Sequence, residues 1–510
     1  MGLILGIDAG TTALKVGVFS ERGAALGSAR EEYSLASPQP DRAELDPERY
    51  WQAAAAATQR ALAAAAVSGA DVGVIGVSSQ GETVIALGPD DRALGPAIVW
   101  LDNRAAAEAS EIAERFDRDE VYATTGVPEV NPTWTATKIA WWRRHDPELF
   151  RAAAAFLLVE DFVLHRLTGR LVTEGGVQCT SLLYDIRRQA WWPAMLEHVG
   201  LTADRLPAIA RPGAVVGTLT AEAADALGLR RGIPVVAAGM DQGAGAVAVG
   251  NTSPGIVSES TGGALVVQAS VDRPDGDPTR QTPVYVHSAP DRYLYAPVCP
   301  TGGMALTWFR DRFGDAEVRE ATAEGRDAYD LLTAAAAAIP PGAEGLTMLP
   351  HLAGAFSPEY EPRARCVFFG FGLTHTKAHF VRATLEAVAF MLRRNLELLD
   401  GIGVPAREIR SQGGGARSPL WCQIKADVCA RPVLTMAGED AAVRGAAMLA
   451  GVAAGVFATL AEATSAMVIA GRTFEPAPAA VAAYEPAYRR YVELFETLRP
   501  VFRTLGARTA

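Results

Sequence analysis

Apolar runs that end in small polar turns recur along the chain and predict the strands of its sheets. One such run covers residues 3–7, enters a turn over residues 8–12 and is followed by a second run over residues 14–19. Residues 255–267 repeat this order around a turn at residues 260–263. Because both segments have the pattern strand, glycine turn, strand, they predict two related domains.

Alanine-rich segments predict helices between the strands, since alanine is the strongest helix former. The predicted helices cover residues 47–67, 103–116, 149–167, 243–249, 420–429 and 480–510. Further short strands are predicted over residues 72–77, 235–238 and 433–434. The alternation of strands and helices predicts an α/β fold with mainly covered sheets. Turn-forming residues at 251–254 divide it into a first domain of residues 1–250 and a second of residues 251–510.

Composition narrows the class of protein. The chain has 510 residues, of which 49% are hydrophobic and 21% charged, so we expect roughly two to four domains with substantial cores. The net charge of −11 argues against a nucleic-acid partner, and no apolar run approaches the ~20 residues that cross a bilayer. Met1 leads into a strand without a basic segment, and the five scattered cysteines include no C-x-x-C pair. We therefore expect a cytoplasmic protein with reduced thiols and no membrane partner.

The first turn has the chemistry of a phosphate site. Gly10 allows close approach of the backbone, and the turn amides with the Thr11 and Thr12 hydroxyls form a nest of donors. Lys15 follows shortly after, and Asp8 at the end of its strand is placed to hold a hydrated Mg²⁺. The alternative is an ordinary hairpin turn.

Two further turns resemble the first in composition. Ser260, Thr261 and Gly262 offer the same kind of nest from the second half of the chain. Three glycines at residues 413–415 precede a helix, as is typical of a backbone that approaches a flat or phosphorylated ligand. The alternative for this last segment is a flexible loop.

Asp241 is the candidate general base. It follows an apolar strand and precedes a helix of small residues. The alternative is a helix N-cap, for which aspartate is favoured. The P-loop motif and the protein-kinase motifs are absent from the sequence. His375 and His379 lack the glutamate of a zinc helix and are interpreted as surface helix residues.

Taken together, these motifs resemble the FGGY carbohydrate kinases from residue 3 to about residue 455. The resemblance rests on residues 6–12, 239–241, 301–303 with Trp308, 368–373 and 413–418, with a degraded form of the first signature at 135–141. It implies an α/β fold of the actin-like ATPase (ribonuclease H-like) type, two related domains and ATP with Mg²⁺ in the cleft between them. Ser260 departs from the family pattern, which has glycine there.

The resemblance also implies roles for individual residues. Asp241 is the predicted catalytic base, and Asp8 and Asp241 are the predicted Mg²⁺ ligands. Residues 439–445 are expected to lead into a helix beneath the adenosine-side loop. The predicted nucleotide-binding residues are Asp8, Gly10, Thr11, Thr12, Lys15, Ser260, Thr261, Gly262, Gly302, Gly303, Gly413, Gly414, Gly415, Ala416 and Ser418.

The acceptor site is predicted in the first domain. The predicted acceptor-binding residues are Gln80, Gly81, Glu82, Trp100 and Asp241. Glu82 matches a glycerol-kinase acid, whereas Gly81 replaces an arginine and so is expected to leave room for a larger acceptor. Thr133 stands where glycerol kinases carry an aromatic wall. The alternatives are a solvated loop acid for Glu82 and a core aromatic for Trp100.

These features favour an ATP-dependent kinase of a small sugar or polyol, with a ketopentose such as xylulose as first choice. Glycerol or another polyol is the alternative within the family. A nucleotide-dependent switch comparable to actin or a chaperone is the alternative from another class. A homodimer is compatible with the sequence, which does not fix the oligomeric state.

Overall fold

Two β-sheets organise the chain in a computed structural model that describes residues 2–438 and 440–505. The strands of this described part are β1 Leu3–Ala9, β2 Ala13–Phe19, β3 Ala25–Glu32, β4 Glu44–Leu45, β5 Val72–Ser79, β6 Val84–Leu87, β7 Ala97–Ile98, β8 Ala155–Leu158, β9 Val172–Glu174, β10 Tyr184–Asp185, β11 Ala190–Trp191, β12 Ala208–Ala210, β13 Val215–Thr218, β14 Pro234–Met240, β15 Ile256–Thr261, β16 Leu265–Val271, β17 Val284–Val286, β18 Tyr293–Tyr295, β19 Val298–Cys299, β20 Thr347–Leu349, β21 Val367–Phe369, β22 Glu408–Gln412, β23 Val433–Ala437 and β24 Ile469–Phe474.

The helices lie between and around these strands. They are α1 Glu48–Ala65, α2 Ala106–Arg115, α3 Arg118–Thr125, α4 Thr135–His145, α5 Pro147–Ala152, α6 Val159–Thr168, α7 Gly175–Gln178, α8 Pro193–Val199, α9 Ala221–Leu227, α10 Asp241–Ala248, α11 Met304–Phe313, α12 Asp315–Glu324, α13 Ala328–Ala337, α14 Lys377–Gly401, α15 Pro419–Cys429, α16 Ala441–Ala453, α17 Leu460–Met467 and α18 Pro478–Phe502. Across residues 2–438 and 440–505, none of these helices combines the length and the apolar character that crossing a membrane requires.

The two large sheets share one strand order. The first sheet runs β13-β14-β5-β1-β2-β3, and the second contains β24-β23-β22-β15-β16-β18 in sequence. In both, successive pairings are antiparallel, parallel, parallel, antiparallel and antiparallel. The similarity that the glycine turns suggested therefore extends to the topology of both halves.

This topology gathers the candidate site residues at the strand ends. Parallel strands β1, β5 and β14 bring their carboxyl ends to one edge, where Asp8, Gln80 and Asp241 lie. In the second sheet, β15 and β22 do the same for Thr261 and Gly413. The turns after β1 and β15, which lie half the chain apart in sequence, thus occupy equivalent positions in the two sheets.

A helix of the second half covers the first sheet. α16 packs against β1, β5 and β14 and crosses α10. Glycines permit this contact, because a Cβ added to Gly6 would lie 2.2 Å from the Val443 carbonyl oxygen and one on Gly445 would lie 1.8 Å from that of Ala244. The helix that residues 439–445 were predicted to lead into is present as α16, and its position beneath the adenosine-side loop stays a prediction. Glu439 itself lies outside the described residues.

Two local predictions were wrong. Residues 149–167 form α5, β8 and α6 rather than one helix, because the apolar segment Ala155–Leu158 pairs with β6 in a buried sheet. His375 lies in the turn before α14, and His379 is buried in its first turn, where its ring bonds Thr376. The predicted helices at 47–67, 103–116 and 420–429 are present as α1, α2 and α15. The last five residues of the predicted closing helix, 506–510, lie outside the described residues.

Candidate active site

A cavity of about 420 Å³ lies between the two halves at the carboxyl ends of the first sheet. It brings together all five predicted acceptor residues with side chains of the second half. The lining residues are Thr11, Gln80, Gly81, Glu82, Trp100, Pro128, Glu129, Asn131, Thr133, Trp134, Met240, Asp241, Gln242, Val266, Gln268, Pro283, Tyr285, Ala296, Val298, Phe356 and Tyr360. We call this cavity the acceptor pocket.

Asp241 is the first residue of α10 and faces the acceptor pocket. Its Oδ1 accepts a hydrogen bond from the Gln242 N–H at 2.6 Å, whereas the N-cap position is held by Met240. An N-cap side chain would instead accept from the second or third helical amide, so Asp241 does not act as the cap. Burial, followed by the nearby charge of Glu82, raises the pKa of Asp241 to about 7.

Asp8 lies beside this base in β1 and is buried. The Ser78 hydroxyl donates to its Oδ1 at 3.1 Å. Burial and then the charge of Asp241 raise the pKa of Asp8 to about 7. Lys15 pairs with Asp8 in the strand register, and its Nζ lies 2.8 Å from Asp440 Oδ1, which joins the two halves.

The pair of carboxyls fits Mg²⁺. Burial raises the pKa of both the Asp8 and the Asp241 carboxyl, and a bound cation would favour their charged forms. Mg²⁺ is usually bound by one or two carboxylates together with phosphate oxygens and water. Among the described residues, no group of three or more His, Cys, Asp or Glu side chains is arranged to hold a metal.

The first turn is fixed by side chains of the pocket. Thr11 Oγ1 donates to Gln80 Oε1 at 3.1 Å and accepts from Trp100 Nε1 at 2.9 Å. Gln80 Nε2 in turn donates to the Tyr50 hydroxyl at 2.7 Å. Thr11 and Gln80 thus hold the wall of the acceptor pocket, whereas Thr12 is exposed and lines a separate surface groove.

Glu82 occupies a strained position in this wall. Its φ is 57°, in the left-handed region, and its carbonyl oxygen accepts from Lys138 Nζ at 3.1 Å. Burial raises the pKa of Glu82, while the charge of Lys138 opposes the shift; burial lowers the pKa of Lys138. Because the carboxyl is enclosed, Glu82 does not have the environment of a solvated loop acid.

Gly81 lines the acceptor pocket and lies close to Thr180. A Cβ at this position would lie 2.7 Å from Thr180 Oγ1 and 3.2 Å from Met240 Sδ, so a side chain here would meet Thr180. That the glycine leaves room for a larger acceptor stays a prediction.

Sequence reasoning missed the aromatic wall of the acceptor pocket. Thr133 stands where an aromatic residue was expected, but the next residue, Trp134, lines the pocket. Three aromatic residues of the second half also line it: Tyr285, Phe356 and Tyr360. The rings of Phe356 and Tyr360 stack with centroids 6.2 Å apart. No sequence motif marks Tyr285, Phe356 and Tyr360, because they reach the pocket through the packing of the second half against the first.

A second cavity, of about 270 Å³, lies in the second half and is called the nucleotide pocket below. Its lining residues are Thr261, Gly262, Gly263, Gly303, Leu306, Thr307, Asp327, Tyr329, Asp330, Thr333, Gly414, Gly415, Arg417, Ser418 and Trp421. It shares no lining residue with the acceptor pocket. The predicted nucleotide-binding residues that do not line it are Asp8, Gly10, Thr11, Thr12, Lys15, Ser260, Gly302, Gly413 and Ala416.

Glycine turns shape the nucleotide pocket through backbone contacts. The N–H groups of Gly302 and Gly303 donate to the carbonyl oxygens of Gly263 and Gly262, each at 2.7 Å. A Cβ on Gly303 would lie 2.4 Å from the Gly262 carbonyl oxygen, so a side chain there would separate the turns.

The third turn, at residues 413–417, leads directly into the N-terminus of α15. Gly413 has φ 78°, residues Gly414–Arg417 form a 3-10 turn, and Ser418 Oγ caps α15 by accepting from the Trp421 N–H. Ser260 is half-buried, and its Oγ would lie 3.1 Å from a Cβ on Gly413. The residue that departs from the family pattern therefore packs against the glycine turn.

Comparison with known proteins gives matches over nearly the whole chain. Residues 3–248 match the N-terminal domain model, and residues 261–454 the C-terminal domain model, of the FGGY family of carbohydrate kinases. The chain is 30% identical to xylulose kinase of Escherichia coli strain K12, covering 98% of this chain and 100% of that protein. It is 29% identical to a gluconokinase of Bacillus subtilis strain 168, covering 99% and 95%.

A solved structure matches equally well. The crystal structure of xylulose kinase from Rhodospirillum rubrum superposes with a TM-score of 0.91 at 30% identity, covering 98% of this chain and 100% of that one. The predicted α/β fold with two related domains is confirmed.

Proposed function

Because the chain belongs to the FGGY family of carbohydrate kinases, and is thus an ATP-dependent sugar kinase of actin-like fold, we propose that its acceptor is a neutral ketopentose such as xylulose. The relatives with this chemistry include the xylulose kinases of Escherichia coli and Rhodospirillum rubrum. The sequence-based alternative of a switch protein without acceptor phosphorylation is set aside by family membership.

The charge of the acceptor pocket carries the proposal for a neutral acceptor. Glu82, Glu129 and Asp241 line the pocket, and no lysine, arginine or histidine is among its described lining residues. A carboxylate on the acceptor would face these acids without a cationic partner. An aldonate such as gluconate is therefore disfavoured, although gluconokinases are among the relatives.

The size and polarity of the pocket also suit a short sugar. Carboxylate and amide groups of Glu82, Asn131 and Gln268 can bond hydroxyls, while Trp100 and Tyr285 offer ring surfaces to carbon atoms. The pocket volume of about 420 Å³ exceeds what glycerol alone would fill.

Asp241 is proposed to take the proton of the reacting hydroxyl. A sugar hydroxyl has a pKa far above 7, so a positioned carboxylate must accept its proton as the new bond to phosphorus forms. The hydrogen bond from the Ser78 hydroxyl holds the neighbouring Asp8 carboxyl in place at the end of β1. When bound, Mg²⁺ at Asp8 and Asp241 supplies charge neutralisation for the phosphates.

The nucleotide is proposed to bind with its adenosine side in the nucleotide pocket. Backbone of the glycine turns at Gly262, Gly263, Gly303, Gly414 and Gly415 lines this pocket, and α15 begins at this point. A first domain of residues 1–250, a second of residues 251–510, a cytoplasmic location and a homodimer stay predictions.

The test is an ADP-release assay with ketopentoses, polyols, glycerol and gluconate as acceptors. We expect ADP release to depend on a ketopentose and to be weakest with gluconate. Asp241→Asn should lower kcat by about 10²–10⁴-fold while ATP still binds, as measured by calorimetry.

Glu222→Gln, which changes an exposed acid on α9, is the matched control and should keep wild-type kcat. A wild-type protein that prefers gluconate would contradict the neutral acceptor. Full activity of Asp241→Asn would remove Asp241 as the base.

A further inference from the structure

A fully buried ion pair lies behind the nucleotide pocket. Lys425 Nζ in α15 lies 2.6 Å from Glu259 Oε1 in β15, and both side chains have no exposed surface. Neither residue lines the pocket, and neither belongs to a motif that the sequence analysis identified. The catalytic chemistry leaves this pair without a role.

Hydrogen bonds connect the pair to the second phosphate turn. Lys425 Nζ also donates to Thr261 Oγ1 at 2.8 Å, and Thr261 Oγ1 donates to Glu259 Oε2 at 2.7 Å. The Ser411 hydroxyl of β22 donates to Glu259 Oε1. The network therefore ties together β15, β22 and α15.

The same network reaches the glycine turn through Thr261. A Cβ on Gly415 would lie 2.6 Å from Thr261 Cβ and 3.2 Å from Lys425 Nζ, so this turn rests directly on the network. Thr261 and Gly415 both line the nucleotide pocket. A shift of Lys425 or Glu259 would thus move two walls of the pocket together.

Stability alone does not account for this arrangement. Removing two charges from water is costly, and replacing a buried ion pair by apolar side chains of similar volume is often neutral or stabilising. Beyond packing, the pair fixes the orientation of the Thr261 hydroxyl through charge-assisted hydrogen bonds. Ser260, which replaces the glycine of the family pattern, lies between Glu259 and Thr261 and packs against Gly413.

We propose that Glu259 and Lys425 are positioning residues that hold Thr261 and the glycine turn at 413–415 in the arrangement that binds the nucleotide. The inference rests on the proposed nucleotide site. The pair should affect the binding of ATP but not the binding of the acceptor, because neither residue lines the acceptor pocket.

The test compares Lys425→Met with the double variant Glu259→Met/Lys425→Met. The single change leaves a buried charge unpaired and should lower the Tm, whereas the double change should restore it. In both variants the KM for ATP should rise about tenfold, with the acceptor KM within about twofold of wild type, because both lose the hydrogen bond from Lys425 to Thr261. Nucleotide affinity measured by calorimetry should fall in parallel.

The control removes a buried ion pair elsewhere in the second half. Arg382 Nε lies 2.7 Å from Glu386 Oε1 in α14, and neither residue lines either pocket. Arg382→Met/Glu386→Met should change the Tm without changing the KM for ATP.

Ser411→Ala keeps the charges paired and tests the network where the methionine variants do not fold. It should raise the KM for ATP by about twofold to threefold, in keeping with one lost hydrogen bond. A wild-type KM for ATP in a folded double variant, or in Ser411→Ala, would overturn the proposal, as would an equal rise of both KM values. Absence of ADP release from the wild-type protein would instead contradict the proposed function, and calorimetric ATP affinity would still decide the role of the pair.

Discussion

The buried acidic residues show what can be predicted from sequence at single positions. Asp8 and Asp241 were predicted because each lies at the end of an apolar strand, and in the structure burial raises the pKa of both, with the charge of Asp241 raising that of Asp8 further. Lys138 and Lys425 were missed, since a lysine in a helical pattern is expected at the surface. Both are fully buried against a glutamate that lies far away in the sequence. These contacts join residues far apart in sequence and form only through tertiary packing, so they could not be predicted from the sequence.

Acceptor binding should weaken at acidic pH because of Glu82. Burial raises the pKa of this carboxyl, so it takes up a proton nearer to neutral pH than an exposed glutamate and then loses one acceptor of hydrogen bonds. We expect the acceptor KM to rise as pH falls below about 7 and to be higher but nearly independent of pH in Glu82→Gln. Steady-state kinetics between pH 5.5 and pH 8.5, about the span where such a group titrates, measure this.

Glu129→Gln is the matched control for Glu82→Gln, since Glu129 lines the same pocket but is exposed. It should keep the pH dependence of the wild-type protein. An unchanged pH dependence in Glu82→Gln would show that another group is responsible.

At the scale of elements, the sequence pattern predicted the central strands β1, β2, β5, β14, β15, β16 and β23, but it left most of the shorter strands unassigned and failed where one segment competes for two structures. Residues 155–158 continue an alanine-rich helical pattern, yet they form β8 because β6 offers a buried edge for pairing. The glycine turns were predicted to let the backbone approach a ligand, which stays a prediction; the structure shows close approaches between the turns themselves, which glycine allows because it has no Cβ. Their partners were not predictable, as in the contact of Gly302 and Gly303 with the turn at 262–263.

The crossing of α10 and α16 depends on one glycine. In Gly445→Ala the new Cβ would lie 1.8 Å from the Ala244 carbonyl oxygen, so the helices must separate, at a cost of about 1–3 kcal/mol for overpacking. Thermal and urea unfolding should show a lower Tm and a lower free energy of unfolding.

Gly245→Ala in α10 provides the opposite case, because no heavy atom lies within 4 Å of its Cβ direction. It should be neutral or stabilise by about 0.5–1 kcal/mol, the helix preference of alanine over glycine. Equal destabilisation by both substitutions would contradict the close crossing.

At the scale of the whole molecule, the repeated sheet order explains why two turns so far apart in sequence share one pattern. Composition and motifs predicted the two related domains. They did not predict that the halves exchange contacts, with α16 completing the apolar face of the first sheet. That face includes Ile4, Val74 and Val236, which are fully buried only with α16 in place.

The first half should therefore be poorly soluble by itself. A fragment of residues 1–250 exposes the face that α16 covers, and we expect it to aggregate in size-exclusion chromatography. Joining residues 440–455 to its end through a flexible linker should restore a monodisperse species. A monodisperse, cooperatively unfolding 1–250 fragment without this helix would contradict the expectation.

The separation of the two cavities has a consequence for how such an enzyme diversifies. No residue lines both cavities, so a substitution in the acceptor pocket leaves the lining of the second cavity unchanged. Apart from Thr11 and Asp241, the acceptor-pocket side chains can therefore diverge and select other sugars while the second half keeps its own cavity.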